Sequence, residues 1–240
     1  MPSRTPTEFG EIYHLINRGV DKRRIFLKTQ DYLRFVLALY FFNDHEGSDI
    51  WNKLKYEKEE IAAVLGRPDR PSPQNEDGRR RMVDLLAFAL MQNHYHLIVR
   101  EITEGGISAF MQKLGGYTWY FNKQYDRVGA LFQGRYKSVA VKDENQLQNV
   151  FTYVHTNPVE LVEPKWKDFK VGNASTAIRF LENYKWTSYN DYIGRPKFPT
   201  VTQRDFFTEF YGGEAGCKQA VEDWISFKAK NAQLDIKNFE

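Results

Sequence analysis

Four segments of the chain have the apolar and β-branched patterning of β-strands, and two segments between them have the periodicity of amphipathic helices. The predicted strands cover residues 9–18, 83–90, 94–100 and 131–141. The predicted helices cover residues 30–43, with Thr29 as N-cap, and residues 107–125, which follow a Gly105-Gly106 break. This order of elements predicts an α+β fold, a ferredoxin-like split βαβ antiparallel sheet with helices on one face.

An insertion and a C-terminal extension flank this predicted core. Residues 47–80 differ in composition from the segments around them, and a charged helix followed by a proline-rich polar loop is predicted there. Helical patterns recur in the last third of the chain, at residues 177–183, 186–193 and 214–232. We therefore expect a core domain over residues 1–160 and a helical extension over residues 161–240 packed on it. Whether the extension covers the sheet or contributes to binding is left open.

The third predicted strand begins with two histidines separated by one residue, His94-Tyr95-His96. A strand places residues i and i+2 on the same face, so the two imidazoles would lie side by side and Tyr95 would point away. Two neutral imidazoles provide two-thirds of a metal site that still needs a third ligand. The alternative is a pair of solvated histidines on the open face of a half-covered sheet.

A helix near residue 150 offers the remaining polar groups. Asp143 and Glu144 begin it, apolar residues recur at helical spacing, and Pro158 ends it. Tyr153 and Asn157 are four residues apart and therefore share one face of this helix, whereas His155 points elsewhere and is expected to be structural. The alternative for Tyr153 is an aromatic ring that only packs in the core.

Taken in order, His94-Tyr95-His96 and Tyr153-x-x-x-Asn157-Pro158 resemble the motifs of the single-tyrosine HUH transposases of insertion sequences. Within that group the chain is most similar to the REP-associated tyrosine transposases of bacteria. Two further segments strengthen the resemblance: the glycine-aromatic-Gln-basic run at residues 129–137, and Trp186-Thr187-Ser188-Tyr189 after the tyrosine helix. The resemblance covers residues 8–194, interrupted by the insertion.

The resemblance implies an endonuclease and strand transferase that cuts single-stranded or hairpin (REP-like) DNA. Tyr153 would be the catalytic nucleophile and would form a 5′-phosphotyrosine, so that strands are rejoined without a nucleotide cofactor. His94, His96 and Asn157 would bind Mg²⁺ or Mn²⁺, which suits a mixed nitrogen and oxygen site. The family also implies a monomer, with a homodimer possible. Two other functions stay open: a DNA-binding regulator whose chemistry has lapsed, and a metal phosphoesterase that activates water.

Residues 110–142 combine cations with aromatic rings, as proteins that bind single strands do. Because several rings must belong to the core, we expect Phe110, Leu114, Tyr117 and Phe121 to face the sheet and about half of the aromatics at most to contact DNA. The predicted DNA-binding residues are Lys113, Trp119, Lys123, Arg127, Arg135, Tyr136 and Lys137. The basic clusters at residues 22–24 and 79–81 fit either solvated charge or backbone contacts.

Composition adds limits to this interpretation. The net charge of +3 is too small to indicate nucleic-acid binding by itself. A single cysteine, Cys217, excludes an intramolecular disulfide and suits a reducing compartment. The N-terminal residues resemble neither a signal peptide nor an anchor, and no segment has the ~20 apolar residues of a membrane span. These features suit a cytoplasmic protein, and the family resemblance implies a bacterial, nucleoid-associated one.

Overall fold

The computed structural model describes residues 7–46, 79–166 and 171–237, with side chains described as far as residue 230. Its strands are β1 (Ile12–Arg18), β2 (Val83–Met91), β3 (His94–Glu101) and β4 (Lys137–Val141). Its helices are α1 (Thr29–Phe41), α2 (Gly106–Leu114), α3 (Tyr117–Gln124), α4 (Glu144–Thr156), α5 (Ala174–Asn183), α6 (Tyr189–Tyr192), α7 (Asp205–Phe210) and α8 (Glu214–Lys237). Short 3-10 turns cover Val20–Lys22 and Asn157–Leu161.

The four strands form one sheet in the order β2-β3-β1-β4, and each neighbouring pair is antiparallel. The central strands are thus the first and third along the chain, and the connections through α1 and α2–α3 join strands that are not neighbours. This is the topology of the split βαβ, ferredoxin-like arrangement, and it confirms the predicted fold class.

One face of the sheet packs against α1, α2 and α3. Leu15, Tyr95 and Leu97 point to this side and join a core with the apolar residues of those helices. The four residues predicted to face the sheet from the basic-aromatic segment are all buried in this core: Phe110, Leu114, Tyr117 and Phe121. Three of these four are aromatic, and Tyr120 is buried in the same core, so packing accounts for four of the eight aromatic rings in that segment.

The opposite face carries α4 and most of the extension. Ala87, Ala89 and Ile98 of the sheet pack with Phe151 and Val154 of α4 in a second core. The side chains of the two alanines are small, so α4 can lie close to the strands on this face. Both faces of the sheet are consequently covered, with the predicted tyrosine helix on the side opposite α1, α2 and α3.

Three predicted boundaries need correction, and glycine is the common reason. β1 starts at Ile12 rather than residue 9, because Gly10 adopts a φ of 84° in the preceding turn. The helix predicted over residues 107–125 is divided into α2 and α3 at Gly115-Gly116, where the amide of Gly116 binds the carbonyl of Lys113. The fourth strand covers only Lys137–Val141, since residues 131–136 around Gly134 form bends and one isolated bridge.

The start of α1 is set by a buried carboxylate rather than by the predicted Thr29 cap. Asp31 accepts hydrogen bonds from the backbone amides of Leu27 and Lys28, at 2.8 and 2.9 Å. It also accepts bonds from the hydroxyls of Tyr120 and Tyr125, at 3.1 and 2.7 Å. Asp31 therefore ties the first turn of α1 to the region of α3.

The extension contains more structure than its sequence pattern predicted. The helix expected over residues 186–193 is the shorter Tyr189–Tyr192, and Asp205–Phe210 was not predicted. Residues 186–188 lie along the edge strand β2, where Leu90 donates to the carbonyl of Trp186 at 2.8 Å and Ser188 to that of Phe88 at 3.0 Å. The extension thus covers the sheet edge. The division into domains at residue 160 stays a prediction, and the predicted elements of the insertion lie outside the described residues.

Candidate active site

His94 and His96 lie on the sheet face that α4 covers. Their relative exposures are 5% and 3%, and their ring centroids are 5.0 Å apart. The register of β2 against β3 places Met91 opposite His94 and the small Ala89 opposite His96. The alternative of two solvated histidines on an open face is therefore wrong.

A third histidine, His14 of β1, lies against this pair. His96 pairs with Ile16, so His14 is the diagonal neighbour of His96 on the same face. Its Nε2 is 2.9 Å from Nδ1 of His96, and the rings stack with centroids 5.0 Å apart. Burial, with a smaller contribution from Lys137, lowers the pKa of His14 to about 4. The sequence analysis missed His14, because only the strand register brings it to the motif.

Tyr153 of α4 stands over the histidines with its ring edge-on. Its ring centroid lies 5.4 Å from that of His96 and 5.8 Å from that of His14. It also lines a cavity of 510 Å³ between β4, α4 and Trp224 of α8. Tyr153 is half-buried, so the ring packs on the histidines while the side chain borders an open volume.

Asn157 follows Tyr153 by one helical turn and is completely buried. Its amide nitrogen and oxygen make no hydrogen bond to any other described residue. A buried amide without partners is costly, which makes it a candidate ligand for a group that the protein binds. His155, between them in sequence, points away and shares a 2.8 Å hydrogen bond with Ser188 Oγ, consistent with the expected structural role. Burial lowers the pKa of His155 to about 3.

A basic cavity of 280 Å³ opens beside His94. Three cationic residues from the end of β1 and the turn that follows line it: Arg18, Lys22 and Arg24. Glu160 is the one acidic residue among the described lining residues. Cations around a small cavity favour an anionic ligand such as a phosphate. Part of the basic cluster at residues 22–24 thus lies next to the histidine motif.

The donor set at this position suits a hard or borderline divalent cation. Two imidazole nitrogens and one amide oxygen leave several coordination positions open, which Mg²⁺ and Mn²⁺ tolerate and structural Zn²⁺ does not. Among the described residues no group of three or more His, Cys, Asp or Glu side chains is arranged to hold a metal ion. Asn157 adds a buried amide without hydrogen-bond partners, and its oxygen is the kind of donor that such a site lacks.

The predicted DNA-binding residues do not form one surface. Lys113 donates to the carbonyl of Asp44, Lys123 lies over the Trp119 ring at 4.9 Å, and Arg127 lies over Phe121 at 5.6 Å. All three are in or just after α2 and α3, across the sheet from the histidines. Arg135 and Tyr136 line a 460 Å³ cavity on that side, together with Phe132. Lys137, paired with Ile16, begins the edge strand on the histidine face.

Comparisons with known proteins agree with the sequence motifs. Residues 75–157 match the family described as "Transposase IS200 like". This confirms the predicted resemblance for the segment that holds His94, His96, Tyr153 and Asn157. A solved structure, "Structure of the REP associates tyrosine transposase bound to a REP hairpin", is similar at 14% identity and a TM-score of 0.47, covering 84% of this chain and 90% of that one. No curated protein matches the sequence.

None of the helices in the described parts of the chain combines the length and apolar character that a membrane span requires.

Proposed function

Starting from the match of residues 75–157 to the IS200-like transposases, we propose that this protein is a metal-dependent single-stranded DNA endonuclease and strand transferase. The observation that carries the proposal is the contact between Tyr153 and His96, whose ring centroids are 5.4 Å apart. A nucleophilic phenol and a metal-binding imidazole must act on the same phosphate, so they must be neighbours. Helix α4 and strand β3 supply them from distant parts of the sequence.

In the proposed reaction Tyr153 attacks the scissile phosphorus through its phenolic oxygen. A bond forms between that oxygen and phosphorus, and the bond from phosphorus to the 3′ oxygen breaks. The phenol loses its proton and the departing 3′ oxygen gains one, which leaves a 5′-phosphotyrosine and a free 3′-OH. The phosphodiester energy is kept in the covalent link, so the reverse attack by a 3′-OH rejoins strands without a nucleotide cofactor.

His94, His96 and Asn157 are the residues that would hold Mg²⁺ or Mn²⁺. Such an ion, when bound, polarises the scissile phosphate and stabilises the charge of the attacking oxygen. Asn157 supports this assignment by its position: it follows Tyr153, which contacts His96, and precedes Glu160, which lines the cavity beside His94. Its unpartnered amide is thus carried on the segment that crosses the histidine pair.

The proposed substrate is single-stranded or hairpin DNA of the REP type, as in the transposases that the motifs resemble. The cavity lined by Arg18, Lys22 and Arg24 supports a backbone contact next to the scissile phosphate, because guanidinium and ammonium groups bind phosphate oxygens. The larger volume beside Tyr153 lies on the other side of the histidines. A DNA strand that crosses the site would run from one of these cavities to the other.

The proposal is tested by trapping the covalent intermediate. The protein is incubated with labelled hairpin DNA and Mn²⁺, and the adduct is mapped by peptide mass. We expect the label on Tyr153, and we expect Tyr153→Phe to bind DNA normally and form no adduct. Tyr40→Phe serves as the matched control, because it removes a tyrosine hydroxyl from α1 on the other side of the sheet.

The same experiment separates the competing functions. An adduct on another tyrosine would show that Tyr153 only packs in the core. Cleavage without any adduct would favour a phosphoesterase that activates water, and binding without cleavage or adduct would favour a DNA-binding regulator.

A further inference from the structure

The turn between β2 and β3 contains an asparagine whose side chain bridges two functional regions. The amide nitrogen of Asn93 lies 3.1 Å from the backbone carbonyl of Lys22. Its amide oxygen lies 2.6 Å from Nδ1 of His94. One side chain therefore connects the basic cavity wall to the first histidine of the motif.

The first of these bonds fixes which way the amide faces. A backbone carbonyl can only accept, so the group that faces Lys22 must be the NH₂ of Asn93. The amide oxygen then faces His94, and because that oxygen can only accept, Nδ1 of His94 must carry the proton. In neutral His94 the lone pair is consequently on Nε2.

The carbonyl of Lys22 is itself held in place. Asp21 and Lys22 have φ angles of 53° and 57°, a left-handed conformation that residues with a side chain rarely adopt. Backbone bonds fasten the ends of this turn to the β2–β3 connection: Gly19 donates to the carbonyl of Asn93, and Ile25 to that of Gln92, both at 2.8 Å. These contacts hold the Lys22 carbonyl in position to accept the hydrogen bond from Asn93.

We infer that Asn93 is a positioning residue that holds His94 in the tautomer whose Nε2 carries the lone pair for binding a divalent cation. The inference rests on the proposed function, since it assigns His94 as a metal ligand. Groups that hydrogen-bond to the non-coordinating nitrogen of a ligand histidine typically change metal affinity 10–100-fold when they are removed. His14, at 2.9 Å from Nδ1 of His96, occupies the equivalent place beside the second histidine.

Two measurements test the inference. Long-range ¹H–¹⁵N correlation spectra identify the protonated ring nitrogen, and we expect Nδ1–H at His94 in the metal-free wild type. Titration with Mn²⁺ alone, followed by the electron paramagnetic resonance of the free ion, gives the affinity. We expect Asn93→Ala to lose the uniform tautomer and to bind Mn²⁺ about 10–100-fold more weakly.

Two variants control for general effects. Asn93→Asp keeps an acceptor for His94 Nδ1 but no donor for Lys22, and we expect it to keep the Nδ1–H tautomer and to bind Mn²⁺ more tightly than Asn93→Ala. Asn183→Ala removes another asparagine, which donates to the carbonyl of Arg179 at 2.7 Å on α5, and should change neither measurement.

A wild-type His94 protonated on Nε2 would overturn the inference, as would Asn93→Ala with the tautomer and Mn²⁺ affinity of the wild type. Failure of the proposed function gives a different result. In that case His94→Ala leaves Mn²⁺ affinity unchanged and no adduct forms. The tautomer still depends on Asn93, so the positioning role stands without the metal.

Discussion

Individual buried histidines carry most of the proposed chemistry, and they differ in what surrounds them. His94 lies edge-on to His96, and His96 also contacts Tyr153, whereas His155 points into the second core and shares a hydrogen bond with Ser188. All three histidines are buried, but their side chains contact different groups. This difference gives two predictions that can be checked residue by residue.

The first prediction concerns the metal. His94→Ala and His96→Ala should each lower the rate of DNA cleavage by at least about 100-fold. Removing a metal ligand should reduce activity at least as much as removing a group that only orients such a ligand. Affinity for hairpin DNA, measured by fluorescence anisotropy, should stay within about threefold, since the cations of the basic cavity remain. Undiminished cleavage in the double variant, or in excess EDTA, would refute the metal site.

The second prediction concerns stability in acid. Burial places the folded-state pKa of His155 at about 3 and of His14 at about 4, both below the ordinary value of 6.5. The unfolded chain therefore binds protons first, and the free energy of unfolding falls as the pH drops from 6.5 towards 4. Each histidine contributes a slope of up to about 1.4 kcal/mol per pH unit.

Urea denaturation between pH 7 and pH 4.5 measures that slope. His155→Gln cannot titrate, so we expect its unfolding free energy to vary less steeply with pH than that of the wild type. The same substitution at the exposed His45 controls for the loss of a histidine as such. Parallel curves for wild type and His155→Gln would contradict the assignment.

Spacing alone predicted the two local pairs of residues in the candidate site. His94 and His96 are two residues apart on one strand, and Tyr153 and Asn157 are four apart on one helix, so local geometry fixed each pair. His14 and Asn93 were missed because their roles depend on the register of β1 against β3 and on a turn held by distant carbonyls. No periodicity in the sequence carries that information.

Among the elements, the predicted order of strands and helices was correct, and the boundaries failed where special backbone conformations interrupt a pattern. The double glycine at residues 115–116 divided one predicted helix, and the bends around Gly134 shortened the last strand. Apolar periodicity continues across such breaks and cannot show them. The carboxylate of Asp31 joins α1 to the α3 region through tyrosines about 90 positions later, which is likewise invisible locally.

The third prediction concerns the segment that leads into β4. Arg135→Ala with Lys137→Ala should weaken binding of single-stranded DNA and reduce the slope of log affinity against log salt by about 0.7 per lost phosphate contact. Arg135 lines the cavity on the helix side of the sheet, and Lys137 begins β4 on the histidine face. Fluorescence anisotropy at several salt concentrations measures the slope.

A charge-matched control removes Lys165 and Lys185, which are exposed in the extension. An unchanged slope in the Arg135 and Lys137 variant would show that these cations are only solvated surface. An equal change in the control would indicate a general effect of net charge.

For the molecule as a whole, the extension is part of the core rather than an appendage. Ser188 binds both Phe88 of β2 and His155 of α4, and the hydroxyl of Tyr192 donates to the carbonyl of Leu86 at 2.6 Å. The second core is shared between α4, the sheet and helices of the extension. Sequence patterns predicted α5, α6 and α8 but not α7, and they left open whether the extension covers the sheet.

The fourth prediction follows from that sharing. A fragment of residues 1–160 should not unfold cooperatively, because it exposes the buried face of α4 and leaves the edge strand β2 without its neighbour. Circular dichroism during urea denaturation measures cooperativity, and the full chain is the control. A fragment with a sharp, reversible transition would instead show that the predicted division at residue 160 separates two independent folding units.

The placement of Tyr153 against His14 and His96 has a consequence for stoichiometry. All these groups come from one polypeptide, and α4 is enclosed between its own sheet and its own extension. The proposed nucleophile therefore meets His96 without a second subunit. Strand cleavage should therefore be first order in protein, with the same turnover per molecule after dilution, whereas an enzyme that exchanges its tyrosine helix between subunits loses specific activity as it dissociates.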